Sequence, residues 1–329
     1  MNKIAVIGAG SWGTTLACLL ADNGHDVTLW VYEKDLADRI QSSRENDVFL
    51  PGYKVPDNLN ISNDLEGELK NARYILSVVP SQHTRAVFKD LVNVIREDSV
   101  IISASKGIEI RTLLTVSEIF NELTGKKVTA ISGPSFAKEV IEKKPTAVTI
   151  ASEDKETGLA LQKLFSNDYF RVYTNTDVMG AELGGALKNV MAIASGISDG
   201  LGLGSSSRAA LITRGLAEMT RLGLVMGAKE KTFGGLSGLG DLVLTCTGTL
   251  SRNYTVGHRL GKGERIKEIV SSMRMVAEGV ATSGSAYELS QKHGVEMPIV
   301  QQIYKVINED KYPVDAVREL MTRSLKSEY

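Results

Sequence analysis

Of all the features of this sequence, a glycine motif near the start of the chain most strongly restricts the possible folds. The pattern GxGxxG spans Gly8–Gly13, follows the short apolar run Lys3–Ile7 and opens a helical pattern. In such a strand–turn–helix unit the first glycine makes the tight turn, the second lets a pyrophosphate approach the backbone, and the third allows close helix–strand packing. The N-terminal end of the helix then attracts the anion. We therefore predict a dinucleotide site rather than a purely structural turn.

The residues after the second predicted strand bear on which dinucleotide is bound. Glu33 lies 20 residues after Gly13, the usual offset for a carboxylate that accepts hydrogen bonds from the adenosine ribose and so favours NAD. Lys34 and the ring of Tyr32 offer an alternative, contact with a 2′-phosphate and with adenine, which suits NADP. A third possibility is that Glu33 and Lys34 simply begin the next helix on its solvent side. The sequence fits all three interpretations.

Strand and helix patterns alternate through the first half of the chain. This alternation is typical of a mainly parallel sheet with helices on both faces, and near-continuous apolar runs are expected of strands covered on both sides. We therefore predict a Rossmann-like, doubly wound sheet. Its predicted strands are Lys3–Ile7, Asp26–Val31, Tyr74–Val79, Ser99–Ser103, Val128–Ser132, Ala147–Ala151 and Phe170–Tyr173. Its predicted helices are Trp12–Asn23, Glu33–Ser43, Gln82–Ile95, Leu113–Leu123 and Lys155–Phe165.

The second half of the chain has a different texture. Strand-like runs almost disappear after Asn175, and Ala-, Leu- and Met-rich helical patterns dominate, the longest being Asp177–Ser198 and Ser207–Met226. At roughly 150 residues per domain, the length of 329 residues also suggests two domains. We predict an α/β fold in which a dinucleotide-binding domain, residues 1–176, precedes an all-helical substrate-binding domain, residues 177–329.

Composition and charge exclude several classes of protein. The chain carries 38 Lys and Arg against 39 Asp and Glu, and its net charge of −1 argues against a protein that coats nucleic acid or an anionic membrane. Two cysteines and four histidines without ligand spacing give neither a disulfide framework nor a metal site. No apolar window reaches the roughly 18 residues of a membrane span, so we expect no stable membrane insertion and a cytoplasmic location.

Glycine is in excess, with 31 of 329 residues against a usual share of about 7%. The excess is concentrated, because 18 of the 31 glycines lie between Gly180 and Gly263. We interpret this cluster as a place where helices and loops approach closely enough to hold a small substrate against the dinucleotide. On this interpretation the cluster is not flexible linker.

A lysine interrupts the apolar helical pattern of the second half. Lys188 lies on a predicted helix face of mostly small residues, and Asn189 beside it adds a second polar group. Such a lysine either extends along the helix to water or is held in a cleft. A partly buried ammonium whose pKa is pulled toward neutrality can exchange a proton with a substrate oxygen. We favour the second interpretation and predict that Lys188 is catalytic.

Polar residues also follow two neighbouring strands of the predicted sheet. Lys106 comes after the strand Ser99–Ser103, and Ser135 comes after the strand Val128–Ser132. Ligands of open α/β sheets bind beyond the carboxyl ends of the strands. We therefore expect Lys106 and Ser135 to lie at the same site.

A second glycine-rich stretch ends on a carboxylate, Asp241, which we expect to set the charge or orientation of Lys188. Ten residues later comes Ser251, followed by Arg252 and Asn253. A guanidinium with neighbouring hydroxyl and amide donors suits a phosphate dianion, because it binds the dianion through two parallel hydrogen bonds. The alternative is a capped inter-helix loop that carries a surface arginine.

Seven motifs along the chain match one known family in content and order. They are GAGSWGTTLA at Gly8–Ala17, SKG at Ser105–Gly107, SGPSFAKE at Ser132–Glu139, GGALKNVMAIASGISDG at Gly184–Gly200, ALITRGLAEM at Ala210–Met219, GLGDLVLTCTG…SRN at Gly238–Asn253 and VAEG at Val276–Gly279. On these motifs the chain resembles, over essentially its whole length, the bacterial-type NAD(P)-dependent glycerol-3-phosphate dehydrogenases. The resemblance implies a fold like that of 6-phosphogluconate dehydrogenase, a Rossmann domain followed by an all-helical domain.

The resemblance also implies roles for individual residues. Lys188 matches the lysine that exchanges a proton with the substrate oxygen, and Lys106 and Asp241 match its catalytic companions. The implied substrate contacts are Lys106, Gly133, Ser135, Lys188, Asp241, Ser251, Arg252 and Asn253, the last two toward the phosphate. The implied cofactor contacts are Ser11, Trp12, Lys106, Ala137, Arg252, Val276 and Glu278, and to these our prediction adds Gly8, Gly10, Gly13 and Tyr32. Tyr32 stands where the family often has a basic residue, which puts a preference for NADP in question.

The reaction implied by the resemblance is reversible hydride transfer from NAD(P)H to dihydroxyacetone phosphate, which gives sn-glycerol 3-phosphate for glycerophospholipid synthesis. A homodimer is implied as well. Two other functions fit parts of the sequence. A dehydrogenase of a β-hydroxy acid or keto acid would need residues that bind a substrate carboxylate in place of the phosphate-binding residues 251–253. A nucleotide-sensing regulator would bind the cofactor without turnover and would need no polar cluster in the second domain.

Overall fold

The first half of the chain forms one eight-stranded sheet. The structure is a computed structural model, which describes residues 3–273, 276–325 and 327–328. Neighbouring strands follow the order β3-β2-β1-β4-β5-β6-β7-β8 and run parallel, except that β6 and β7 pair antiparallel. The strands are β1 (Lys3–Ile7), β2 (Asp26–Trp30), β3 (Asn60–Ser62), β4 (Tyr74–Ser77), β5 (Val100–Ser103), β6 (Val128–Ser132), β7 (Thr146–Ala151) and β8 (Phe170–Asn175). The predicted Rossmann-like, mainly parallel sheet is confirmed.

Helices cover the sheet and make up the rest of the chain. Those of the described ranges are α1 (Ser11–Asp22), α2 (Lys34–Ser43), α3 (Leu65–Asn71), α4 (Ser81–Phe88), α5 (Val116–Thr124), α6 (Ala137–Ile141), α7 (Lys155–Phe165), α8 (Val178–Gly200), α9 (Gly204–Val225), α10 (Glu230–Phe233), α11 (Asp241–Thr247), α12 (Arg252–Gly261), α13 (Ile266–Ser271), α14 (Glu278–Lys292), α15 (Pro298–Asn308) and α16 (Pro313–Met321). The predicted all-helical second half is therefore confirmed. Within the described ranges, no helix is long and apolar enough to cross a membrane.

The alternation of side chains along β1 explains why the sheet is covered on both faces. Ile4 and Val6 belong to the apolar core that packs on one face, and Ala5 and Ile7 belong to the core on the other face. Fully buried isoleucine and valine side chains of this kind each contribute roughly 1.5–3 kcal/mol relative to exposed ones. Since β1 lies between β2 and β4, the strand order reverses direction at this strand: β2 and β3 follow on one side of β1, and β4 to β8 on the other. Ligands of such sheets bind at this position, beyond the carboxyl end of the strands.

Several elements differ from the sequence prediction. The strand β3 and the short helices α3 and α6 were not predicted. The strand β3 has only three residues, two of them polar, and the helices have only seven and five residues. The predicted helix Gln82–Ile95 divides into α4 and a 3₁₀ turn at Val92–Val94. Asp90 and the turn residues Val92, Asn93 and Val94 are poor helix formers, which explains the division.

The helix α8 forms the centre of the second half, and all of its residues except Met179 and Asp199 are buried. Its close packing against α12 depends on glycine. A Cβ atom on Gly257 of α12 would lie 2.0 Å from the carbonyl oxygen of Ile193 on α8. In the opposite direction, a Cβ atom on Gly196 would lie 2.1 Å from a carbonyl oxygen of α12. The glycine cluster therefore acts first through helix–helix packing, and no flexible linker is needed to explain it.

Candidate active site

The glycine motif after β1 has the geometry of a dinucleotide cradle. Gly8 has a φ of +114°, which favours glycine, and a Cβ atom on Gly13 would lie 1.9 Å from the carbonyl oxygen of Gly8. Gly10, in contrast, has no atom of the described residues within 4 Å of its Cβ position, so its backbone is open to a ligand. Beside it, the indole nitrogen of Trp12 is buried and has no hydrogen-bond partner within the described ranges. These residues fit a dinucleotide pyrophosphate at the start of α1.

Two further predicted cofactor contacts flank this cradle. Ser11 is the first residue of α1, and Ala137 is the first residue of α6. The hydroxyl of Thr15 on α1 donates a hydrogen bond of 3.3 Å to the carbonyl oxygen of Ala137, so the two helix starts are held side by side. The structure therefore places Ser11 and Ala137 on the same rim of the cradle.

The segment after β2 lies at the outer end of the cradle. The ring of Tyr32 packs edge-on against Trp30 at 6.0 Å, and the side chain is 74% exposed. Glu33 precedes α2 and its carboxylate makes no hydrogen bond to the described residues, whereas Lys34 pairs with Asp38 at 3.0 Å. Tyr32 and Glu33 are free to meet the adenosine end of a cofactor. They take no part in the charged cluster described next.

Two lysines and one aspartate form a buried charged cluster between the two halves of the chain. Nζ of Lys188 lies 2.6 Å from Oδ1 of Asp241, and Nζ of Lys106 lies 2.6 Å from Oδ2 of the same carboxylate. Asp241 is 1% exposed and Lys188 is 7% exposed. A π-helical segment, Leu236–Gly240, leads directly into α11 and places Asp241 in its first turn, where a negative charge is favourable.

Burial and charge act in opposite directions within this cluster. Burial lowers the pKa of Lys188 to about 8, although the neighbouring Asp241 carboxylate favours its charged form. For Asp241, burial acts to raise the pKa, but the charges of Lys106 and Lys188 outweigh burial and hold that pKa below its ordinary value. With both lysines protonated, the cluster carries a net charge of about +1. It is therefore suited to stabilise a negative charge that develops next to it.

The ammonium of Lys188 is fixed by a second contact. It donates a hydrogen bond of 2.7 Å to the hydroxyl oxygen of Thr245, and that hydroxyl donates in turn to the carbonyl oxygen of Asp241 at 2.6 Å. Thr245 lies one helical turn after Asp241 on α11. Sequence reasoning did not assign Thr245 to the site, because its four-residue spacing from Asp241 is ordinary within a helix.

Lys106 joins the sheet edge to this cluster. Besides its ion pair with Asp241, its ammonium donates a hydrogen bond of 3.0 Å to the carbonyl oxygen of Gly133, which follows β6. The hydroxyl of Ser135 donates to the same carbonyl oxygen at 3.0 Å. The structure thus brings the predicted substrate contacts Gly133 and Ser135 next to Lys106.

A chain of amide hydrogen bonds runs from Lys106 to the starts of α12 and α14. The side-chain amide of Asn189 donates to the carbonyl oxygen of Lys106 at 3.2 Å and accepts from the amide of Asn253 at 2.9 Å. The side-chain oxygen of Asn253 accepts from the backbone N–H of Gly279 at 2.9 Å. Asn189, the second polar residue of the α8 pattern, therefore links Lys106 to the predicted phosphate-contacting segment.

The start of α12 presents one side-chain donor group that has no partner among the described residues. Ser251 is the N-cap of the helix, and its hydroxyl oxygen accepts from the backbone N–H of Tyr254 at 3.2 Å. No hydrogen bond or ion pair from the described residues reaches the guanidinium of Arg252. The side chain of Arg252 meets solvent but has protein on several sides, and desolvation lowers its pKa while the nearby charge of Glu278 opposes that change. An unpartnered guanidinium at a helix start is a fitting anion site.

Glu278 and Val276 lie where the cradle meets the second half of the chain. The carboxylate of Glu278 accepts hydrogen bonds from the hydroxyl of Ser81 at 2.8 Å and from its backbone N–H at 3.3 Å. A Cβ atom on Gly107 would lie 2.6 Å from this carboxylate, so Glu278 adjoins the loop that carries Lys106. Val276 is exposed. Burial raises the pKa of Glu278, and its contacts with Ser81 oppose that change.

Comparison with known proteins identifies the same family along the whole chain. The family described as "NAD-dependent glycerol-3-phosphate dehydrogenase N-terminus" matches residues 3–158, and the one described as the C-terminus of the same enzyme matches residues 177–318. A "Glycerol-3-phosphate dehydrogenase [NAD(P)+]" of Citrifermentans bemidjiense is 56% identical over 331 aligned residues, which cover 99% of each chain. The protein of the same name from Syntrophotalea carbinolica is 54% identical over 99% of each chain.

Solved structures agree with this assignment. The crystal structure of a glycerol-3-phosphate dehydrogenase from Coxiella burnetii superimposes with a TM-score of 0.95 at 43% identity, covering 98% of this chain and 99% of that one. A ketopantoate reductase from Ralstonia eutropha superimposes with a TM-score of 0.61 at 16% identity, covering 96% of this chain and 99% of that one. At that identity the second likeness concerns the fold alone.

Proposed function

This chain belongs to the NAD-dependent glycerol-3-phosphate dehydrogenase family, and we propose that its buried lysine–aspartate–lysine cluster is the catalytic centre of that reaction. The protein is an NAD(P)-dependent oxidoreductase that interconverts dihydroxyacetone phosphate and sn-glycerol 3-phosphate. The observation that carries the proposal is the pair of 2.6 Å contacts by which Lys188 and Lys106 share the carboxylate of Asp241. The product serves glycerophospholipid synthesis.

The cluster supports the proton-transfer half of the reaction. The chemistry supplied by a bound nicotinamide is hydride transfer at C2 of the substrate. As C2 is reduced, negative charge develops on its oxygen, and the net positive charge of the cluster stabilises that oxygen. Lys188 then donates the proton, a step worth roughly 10²–10⁴-fold in rate. In the reverse direction the neutral amine of Lys188 accepts the proton, which a pKa of about 8 permits at mild alkaline pH.

The start of α12 supplies the proposed binding site for the substrate phosphate, which we call the phosphate grip. The guanidinium of Arg252 binds the dianion, and Ser251 and Asn253 supply a hydroxyl and backbone N–H groups beside it. The amide chain through Asn189 fixes the distance between this grip and Lys106. Binding energy from the remote phosphate thereby orients C2 toward the reacting groups.

The dinucleotide cradle and the helix starts around it hold the cofactor. Gly8, Gly10 and Gly13 let the pyrophosphate approach α1, and the unpartnered indole N–H of Trp12 is a donor for it. Further contacts come from Ser11, Tyr32, Lys106, Ala137, Arg252, Val276 and Glu278.

The two halves of the chain have different roles in the proposed reaction. We assign residues 1–176 to a dinucleotide-binding domain and residues 177–329 to a substrate-binding domain. We also propose a homodimer, because Ala209 and Ala210 of α9 are exposed and none of the residues of this helix before Gly215 is buried. Sedimentation velocity tests the dimer. A cytoplasmic location fits two buried cysteines that form no disulfide.

Initial-rate kinetics test the function directly. Dihydroxyacetone phosphate is offered with NADH and, in parallel, with NADPH, and a panel of keto acids at the same concentrations serves as the control. We expect turnover of the phosphorylated ketone and none of the keto acids, because we propose that Arg252 binds a phosphate. Turnover of keto acids without turnover of dihydroxyacetone phosphate would contradict the proposal.

A further inference from the structure

A buried glutamate at the start of α8 has no part in the chemistry described above. Glu182 is 5% exposed, and both of its carboxyl oxygens are engaged by Ser117. The backbone N–H of Ser117 donates to Oε1 at 2.9 Å, and its hydroxyl donates to Oε2 at 2.5 Å. Ser117 lies in the first turn of α5, a helix that packs on the sheet. The contact therefore joins the helical half of the chain to the sheet half.

The helix α5 does not need Glu182 for its own cap. Thr115 and Glu118 form a complete capping box at this end of the helix, with the backbone N–H of Thr115 donating to Glu118 at 2.8 Å. This leaves the N–H of Ser117 as one of the free donors of the first turn. Glu182 occupies that donor from another part of the fold.

The contact between Glu182 and Ser117 lies near one end of α8, which carries Lys188, and near one end of the loop that carries Lys106. Glu182 and Lys188 share α8, six residues apart. On the other side, α5 ends the loop that begins after β5 and carries Lys106. Both lysines converge on Asp241, and Asn189 of α8 binds the backbone of Lys106. A shift of α8 against α5 would therefore change the separation of the two ammonium groups.

We propose that Glu182 is a positioning residue that docks α8 on the first turn of α5 and so sets Lys188 in register with Lys106. The inference rests on the proposed function, since it assigns Glu182 a task only if the two lysines form the catalytic centre. Burial of a carboxyl group carries a free-energy cost, which contacts with hydrogen-bond donors offset. In agreement, burial raises the pKa of Glu182 while the contacts with Ser117 and Thr115 oppose that change.

The chain offers a matched control within the helical half. Glu218 on α9 is 2% exposed and accepts hydrogen bonds from the backbone N–H groups of Ile299 and Val300, at 2.8 and 3.2 Å, at the start of α15. Its chemistry is that of Glu182, a buried glutamate at the N-terminus of another helix. However, its hydrogen bonds join two helices of the same half. They reach neither α8, which carries Lys188, nor the loop that carries Lys106.

The test compares Glu182→Ala, Glu182→Gln and Glu218→Ala in the full-length enzyme. For each variant the unfolding midpoint is measured first, and the kinetics are taken well below it. The readouts are kcat and KM for dihydroxyacetone phosphate, the dissociation constant of NADH from its fluorescence, and the isotope effect on kcat with NADH deuterated at the transferred position.

We expect Glu182→Ala to lower kcat by about ten- to a hundredfold, the usual result of a displacement near 1 Å between reacting groups. The affinity for NADH stays within about twofold, since the cradle is untouched, and the isotope effect rises as hydride transfer becomes slower. In Glu182→Gln the amide oxygen still accepts from the N–H of Ser117 and the amide NH2 donates to its hydroxyl oxygen, so we expect native kcat. Glu218→Ala lowers the unfolding midpoint and leaves kcat native.

Native kcat in Glu182→Ala would overturn the proposal, and so would an equal loss of kcat in Glu182→Gln or in Glu218→Ala. If Glu182→Ala does not fold, Ser117→Ala takes its place, because this variant removes the hydroxyl contacts with Glu182 and Thr115 and keeps the backbone N–H contact with Glu182. A smaller loss of kcat in the same direction then supports the proposal, and native kcat overturns it. An inactive native enzyme would instead refute the proposed function itself.

Discussion

The contact between α8 and α12 makes Gly257 a sharp test of the glycine interpretation. A Cβ atom at this position would lie 2.0 Å from the carbonyl oxygen of Ile193. An ordinary contact between carbon and carbonyl oxygen is about 3.3 Å or more. Gly257→Ala therefore requires the two helices to separate by about 1.3 Å at their crossing, or the backbone to distort by a comparable amount.

The expected cost of Gly257→Ala has a structural and a catalytic part. Overpacking of this kind costs about 1–3 kcal/mol, which exceeds the gain of up to about 1 kcal/mol that alanine brings to a helix interior. Because Arg252 and Asn253 lie in the first turn of the displaced α12, the phosphate grip moves away from Lys188. We expect KM for dihydroxyacetone phosphate to rise by about tenfold or more.

The assay combines urea unfolding with initial rates, and Gly284→Ala is the matched control. Gly284 also lies inside a helix, α14, but no atom of the part of the chain that the structure describes lies within 4 Å of its Cβ position. Alanine there removes backbone freedom without a clash and stabilises the protein by up to about 1 kcal/mol. If Gly257→Ala is as stable as the native enzyme and keeps its KM, close approach of the helices is not the reason for glycine at this position.

Three further predictions concern the site. Asp241→Asn leaves two lysines without their shared counter-charge, so we expect kcat to fall by about a hundredfold or more and the pKa of Lys188 to fall further, measured by initial rates and by the pH profile. In the native enzyme, kcat/KM for ketone reduction should fall as pH rises through about 8, because the ammonium of Lys188 is lost, while kcat/KM for alcohol oxidation rises over the same range; a profile without this limb contradicts the role of Lys188. Arg252→Ala should mainly raise KM for dihydroxyacetone phosphate, and an unchanged KM argues against its contact with the phosphate.

The sheet could be predicted from the sequence because its signals are local. The apolar run of β1, the glycines after it and the strand–helix alternation each depend on neighbours along the chain. The antiparallel pairing of β7 does not, since its direction is set by contacts with β6 across the sheet. The end of α4 at Phe88 was missed for a related reason, because a helical pattern alone does not show where a helix stops.

The site divides in the same way. Lys188 could be found from the sequence because a lysine in an apolar pattern is conspicuous, and Asp241 because it ends a glycine-rich stretch. Thr245 and Glu182 gave no such signal, since a threonine or a glutamate inside a helix is ordinary until its partner is known. Those partners come from segments more than 50 residues away in the chain, and only the packing of α8 brings them together.

The most direct test of the catalytic centre is the variant Lys188→Ala, studied by NADH fluorescence and by single-turnover reduction of dihydroxyacetone phosphate. Lys188 contacts Asp241 and Thr245 but no residue of the glycine cradle. We therefore predict that NADH binds with an affinity within about threefold of the native value, while turnover falls by roughly 10²–10⁴-fold or more. Near-native turnover in Lys188→Ala would contradict the assignment of the lysine–aspartate–lysine cluster as the catalytic centre.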